Sequence, residues 1–273
     1  MIPKKILNKY LQFAINNYFI LIFILAIGFV GIVSVYKLFF TKPTYIYAKI
    51  KVGQGLWWAN TQKPSMWFIE AIKKANDEKD LAGKPIAKIM KVTYYPWWGS
   101  GQYDVYVEVK LKVSKVGKAG KYNFKRTTIG VGAPIDFEFD TVQFSGTVIN
   151  LYEKEQKEIY TEKLVTITKK NAYPWEYDAI MAGDKFFNGE TETLQVVNKQ
   201  AIDTLSLSDD LYGNLPAISN DNRKYISVQL RLKGKAADNQ FVYAEEQPIV
   251  PGKGINIGTS NFIFTDFVVA KIE

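Results

Sequence analysis

The chain has 273 residues, a net charge of +8 and a hydrophobic fraction of 47%, ordinary for a folded protein and enough for an anchor and two domains of usual size. It contains neither cysteine nor histidine. That excludes a disulfide framework, thiol chemistry, Ser-His-Asp and Cys-His catalysis, and the commonest transition-metal ligand.

The charge is uneven. Residues 1–43 carry five lysines and no acid, residues 44–152 sixteen Lys/Arg and nine acids, and residues 153–273 fourteen and eighteen, so the three parts hold +5, +7 and −4. The basic middle part reads either as ordinary solvated surface or as a face for an anionic polymer or membrane.

Tyr18–Tyr36 is an uncharged run of nineteen residues. As a helix it would reach about 28 Å, near the thickness of a hydrocarbon core. Lys37-Leu38-Phe39-Phe40 follows where a cleaved signal would need small residues, so an uncleaved anchor is expected. Lys4, Lys5 and Lys9 precede the run while Lys37 and Lys42 follow it. This bias places the N-terminus in the cytoplasm and the remaining chain outside.

Beyond the span, Tyr45–Val52 reads as a strand, Gly53–Lys63 as a loop and Pro64–Asn76 as a short helix. Ser65 is its candidate cap, with Phe68, Ile72 and Ala75 on one face. Ile86–Tyr94 and Val105–Val113 are strands joined through Tyr95–Gly101, and Val131–Ile149 is a hairpin. That hairpin recurs. Pro251–Val269 aligns with it at an offset of 120, Gly252 on Gly132, Phe264 on Phe144, Val268 on Val148 and Val269 on Ile149. A fixed glycine and a kept turn length mark an internal duplication. After a charged linker, Glu153–Glu162, the second copy follows: strand Leu164–Thr168, a helical counterpart at Tyr173–Ile180 with Trp175 on Trp67, strand Leu194–Val197, a long polar loop Ser206–Arg223, and strand Tyr225–Leu232. The fold class expected is mainly β, a β-rich α+β. An N-terminal transmembrane helix (residues 1–43 with its cytoplasmic tip) precedes two tandem small β-barrel-like domains, 44–152 and 153–273, each with a short helix.

Several stretches together carry a resemblance: the single span, the Glu70-Ala71-Ile72-Lys73 helix, the alternating Tyr103–Lys112 strand and above all the Val131–Ile149 hairpin. The chain resembles the bacterial membrane-anchored family catalogued as domain of unknown function 4330, here in two copies. The resemblance implies a single-span bacterial envelope protein at the cytoplasmic membrane and supplies no activity or site residues. A second, looser likeness is to lipid-transfer proteins of the mammalian-cell-entry type, through the single span, the small barrel and Gly83–Ile89.

Two surface candidates stand out. Trp57, Trp58, Trp97 and Trp98, with Tyr94 and Tyr95, sit on or beside loops of the first repeat. They could stack on sugars, meet a lipid headgroup layer, or pack together to close one end of a barrel. Lys110, Lys112, Lys115, Lys118, Lys121, Lys125 and Arg126 gather around one hairpin, as an anionic-surface contact or a solvated sheet edge. Asp209, Asp210, Asn220 and Asp221 lack EF-hand spacing, so no metal and no cofactor is assigned. Ser65-Met66, Lys125-Arg126 and Asp221-Asn222-Arg223 occur in the order of a Ser/Lys signal peptidase, but their flanking residues do not match. The expected role is therefore non-enzymatic: binding or scaffolding in the envelope, with lipid or glycan binding through the aromatic loops as the alternative. The partners expected are the membrane and an envelope protein or anionic or glycan polymer, without nucleic acid.

Overall fold

The computed structural model describes residues 17–40, 43–53, 63–97, 101–116, 121–207, 217–237 and 239–273, with side chains at all of these but 21, 35, 37–40, 205–207 and 217–221. The chain divides into two compact units, Met1–Thr44 and Tyr45–Glu273. In the first, helix α1 spans Tyr18–Phe40. Its described side chains are mostly apolar and exposed, including Phe19, Phe23, Leu25, Phe29 and Ile32. Among the described residues no helix is long and apolar enough to cross a membrane.

The second unit is mainly β. Its first repeat runs β1 (Thr44–Val52), α2 (Met66–Lys74), β2 (Glu78–Lys79), β3 (Pro85–Pro96), β4 (Tyr103–Val116), β5 (Lys121–Phe124), β6 (Thr127–Ile129), β7 (Pro134–Glu138) and β8 (Gln143–Tyr152). Its second runs β9 (Thr161–Ala172), α3 (Pro174–Ala179), β10 (Lys185–Phe187), β11 (Glu192–Leu207), β12 (Ala217–Ala237), β13 (Gln240–Tyr243), β14 (Gln247–Pro248), β15 (Gly254–Gly258) and β16 (Ile263–Ile272). The elements correspond one to one. The sheet orders do too: β2-β3-β4-β1-β8-β7 matches β10-β11-β12-β9-β16-β15, and in each a short hairpin branches from the long third-ranked strand. These are two barrel-like sheets of one topology.

The physical basis is strand alternation. Val105, Val107, Val109 and Leu111 of β4 are fully buried, as are Ile226, Val228, Leu230 and Leu232 of β12. Each such side chain contributes about 1.5–3 kcal/mol by leaving water. Hydrogen bonds bridge the gap between the edge strands of each sheet. In the first repeat the Asn76 amides donate to Asp140 at 3.1 and 2.6 Å, and Lys125 joins Glu78 of β2 to the Asp136 carbonyl of β7. In the second, Asn261 donates to Asp184 at 3.0 Å.

The recurring glycine has a visible cause. Gly132 and Gly252 both hold positive φ, 86° and 82°, a conformation costly for other residues. Their N–H groups donate at 2.7 Å to Val148 and Val269. That pairing corrects the alignment. Ile135 lies opposite Gly146, whereas Ile255 lies opposite Phe267. Asp266, at φ 62°, is an extra bulged residue in β16. Val269, not Val268, therefore takes the place of Val148; Val269 is buried and Val268 exposed.

Three further expectations change. Ser65 precedes α2 but its hydroxyl caps nothing; its carbonyl instead accepts the Phe68 and Ile69 N–H groups. The described ends of the polar segment Ser206–Arg223, residues 206–207 and 217–223, are strand, with β11 and β12 paired from Leu194↔Leu232 out to Leu207↔Ala217. The short strands β2 and β10 had no sequence signal at two and three residues.

Candidate functional site

The outer faces of β1, β3 and β4 are covered by the second repeat, and the covering is ionic. Lys49 and Lys51 alternate with core residues along β1 and so point outward, yet Lys49 is only 4% exposed. The Lys49 ammonium reaches Glu158 at 2.5 Å, Glu245 at 2.6 Å and Glu108 at 3.7 Å. Lys235 of β12 bridges the same Glu158 and Glu245 at 2.5 Å each. Lys91 of β3 meets Glu190 at 2.6 Å and Glu158 at 3.3 Å, and Lys51 meets Glu246 at 2.5 Å. Tyr160 donates its hydroxyl to Glu158 at 2.6 Å.

Burial works against every charge in this cluster, and the pairing decides which way each group moves. Desolvation opposes the Lys49 ammonium, but Glu245 and Glu158 outweigh it and hold its pKa above the ordinary value. Desolvation would also raise Glu158, yet the hydrogen bonds of Lys235, Lys49 and Tyr160 hold it well below the usual carboxylate range. Glu108, half-buried and farther from its cations, is raised, chiefly by desolvation.

Aromatic packing continues the junction. Tyr95 sits edge-on to Tyr243 at 5.5 Å and to Tyr106 at 6.2 Å, and its hydroxyl accepts the Asn188 amide at 3.0 Å. The Asn188 carbonyl takes the Tyr94 N–H at 3.0 Å. Gly189 follows at φ 101°, so close that a Cβ there would lie 2.7 Å from the Val92 carbonyl. Beside this contact a cleft of about 490 Å³ opens between the repeats. Tyr94, Tyr103, Phe186 and Phe187 line its apolar side, and Gln102, Thr259 and Asn261 its polar side. Phe187 is 53% exposed there.

The sequence-expected residues scatter around this arrangement. Tyr95 is fully enclosed in the junction and Tyr94 shows only an edge to the cleft. Neither is a free surface aromatic, because β3 is covered by the second repeat. Trp97 is half-buried, with Lys63 over its ring at 4.3 Å; Trp57, Trp58 and Trp98 lie outside the described residues. Of the basic cluster, Lys110 covers Tyr45 at 4.8 Å, and Lys115, Lys121 and Arg126 are exposed while Lys112 is half-exposed. Lys125 is committed to Glu78, and Lys118 lies outside the described residues. The Ser/Lys pattern is not brought together as a chemical unit: Lys125 is paired as an ammonium, and Arg223 lies in the second repeat over Tyr173. Asp209 and Asp210 fall outside the described residues, and the side chains of Asn220 and Asp221 do too. Among the described residues no cluster could hold a metal ion.

Sequence reasoning missed the ionic junction. Its signal was two lysines alternating with apolar residues in the core-grade strand Ile46–Val52, beside acids of the linker and of the Ala244–Glu246 turn. A comparison of this chain with family profiles, curated proteins and solved structures finds no match in any of the three.

Proposed function

We propose that this chain is a membrane-anchored envelope protein with a non-enzymatic binding or scaffolding role, presenting residues 44–273 outside the cytoplasmic membrane as one rigid two-repeat unit. The observation that carries the reading is α1: a 23-residue helix whose described side chains are mostly apolar and exposed. An apolar surface of that kind is covered by lipid or by another chain. At the helical rise, Tyr18–Phe40 covers about 34 Å. The lysine bias supports the same orientation.

The junction supports the scaffolding part. Buried ion pairs add little net stability but fix geometry, because any other arrangement leaves a desolvated charge alone. A fixed pair of barrels suits a role in which two surfaces are held at set positions. The aromatic cleft between the repeats favours the second reading, a small amphipathic or glycan ligand held there. Alkaline carbonate extraction tests the anchor: the full chain should stay with the membrane pellet and residues 44–273 alone should be released. Release of the full chain would end the proposal.

A further inference from the structure

Helices α2 and α3 occupy equivalent places in the two repeats, and each turns one tryptophan into solvent. Trp67 is 73% exposed and Trp175 61%. Neither ring is needed for packing: Ile69 and Ile72 bury the core face of α2, and Ile180 is the buried anchor beside α3. What sets these rings apart is that the exposure recurs at the same place in both copies.

Each tryptophan stands over a pocket built from the same three pieces. In the first repeat these are the end of β1 at Val52-Gly53, the start of α2 at Ser65 and Phe68, and the start of β8 at Gln143–Ser145. In the second they are the end of β9 at Lys169–Asn171, the start of α3 at Tyr173 and Glu176, and β16 at Thr265-Asp266. Here Tyr173 and Trp175 lie nearly parallel, 18° apart at 6.4 Å. The Arg223 guanidinium covers the Tyr173 ring at 3.5 Å. Its Nη1 is buried with no hydrogen-bond partner, while the side chain as a whole is half-exposed and lines the pocket, where its cationic group can meet an acidic ligand.

We propose that these two pockets are equivalent binding sites for one linear acidic polysaccharide, a pyranose ring stacking on Trp67 and another on Trp175, with an acidic substituent at Arg223. A flat indole suits the apolar face of a sugar ring, while amide, hydroxyl and charged groups at the rim meet its hydroxyls. An acyl chain needs an enclosed apolar wall. The second pocket instead presents Lys170, Asn171, Glu176, Thr204 and Asp266. Two like sites on one compact unit suit a polymer, since the second contact becomes intramolecular and prolongs retention. The proposal rests on the binding reading above and places the ligand on the helices rather than in the junction cleft.

The test uses the full chain in detergent micelles, passed over immobilised polygalacturonate and hyaluronan, with cellulose as the neutral reference. The acidic polymers should retain it longer than cellulose. Trp67→Ala or Trp175→Ala should each weaken retention about tenfold, the worth of one stacked ring, and the double variant should abolish it. Arg223→Gln should reduce retention on the acidic polymers to the cellulose level. Melting of the two tryptophan variants should match the parent, because both rings are exposed. If the parent is retained on none of the polymers, both this proposal and the glycan reading fall. If it is retained and the double variant is retained equally, these pockets are wrong while the glycan reading stands, and Phe187→Ala in the cleft should then weaken binding.

Discussion

Replacing Lys49 by Met is the sharpest perturbation of the junction, because it keeps the length of the side chain and removes only its charge. Lys49 is 4% exposed and sits within 2.6 Å of Glu158 and Glu245. The substitution leaves those two enclosed carboxylates to share Lys235, and leaves Glu108 with the more distant Lys91. Removing one partner from a buried ionic cluster costs about 3–5 kcal/mol. With Lys235 still in place the lower end applies, about 3 kcal/mol. For a unit of this size each kcal/mol moves the midpoint by about 2–4 °C, so the melt should fall by about 6–12 °C. Because Glu158 and Glu245 belong to the linker and the second repeat, the loss should fall on the contact between repeats, and the single calorimetric transition of the parent should separate into two. Lys271→Met, at a side chain 67% exposed, serves as the control and should change stability by less than about 0.5 kcal/mol. If Lys49→Met melts within 2 °C of that control, as one transition, the ionic junction does not hold the repeats together.

The pH dependence follows from the same groups. Glu158 has its folded pKa depressed, so its contribution is present above the unfolded value of about 4.3 and is lost as pH falls from there. Lys49 has its folded pKa raised, so its contribution is present below about 10.4 and goes only as pH rises through the higher folded value. With Glu158 holding more cations than Glu108, melting temperature should drop below about pH 4, partly offset by Glu108, whose raised folded pKa favours the folded state as it protonates, as a scan by circular dichroism will read. Gly189→Ala places a Cβ 2.7 Å from a backbone carbonyl and 2.9 Å from the Tyr94 ring at positive φ, and should cost about 3 kcal/mol in urea titration; a neutral result would mean the repeats do not touch there. Ala244 holds φ 52°, so Ala244→Gly should stabilise by up to about 1 kcal/mol, seen as a higher urea midpoint at unchanged slope.

Much of the fold was legible because alternation and duplication are local signals. Val105–Val113 and Ile226–Leu232 announce their inward rows, and Gly132 and Gly252 announce a turn that only glycine adopts cheaply. The offset of 120 failed at one place, Asp266, because a bulge adds a residue without disturbing the apolar pattern around it. The long hairpin of β11 and β12 was hidden by polar residues that read as loop. The junction was the least legible part. The lysines of β1 look like an ordinary solvated face until the second repeat covers them, and the acids that meet them are over 100 residues away. The charge asymmetry between the halves was visible, but part of it is directed inward: Lys49, Lys51 and Lys91 of the basic repeat face Glu158, Glu190, Glu245 and Glu246 of the acidic one. Tyr94 and Tyr95 were grouped with the loop tryptophans by proximity in sequence, whereas the strand they belong to turns them into the interface. Trp67 and Trp175 were visible as a matched pair, yet only their exposure distinguishes a binding ring from a core ring.

We propose that α1 anchors the chain, with both repeats outside the cytoplasmic membrane. Protease added to intact spheroplasts tests it most directly, with a known external domain and a known cytoplasmic protein followed in the same sample. The account predicts that residues 44–273 are digested together with the external marker while the cytoplasmic marker survives. Survival of both repeats under conditions that digest the external marker would contradict it.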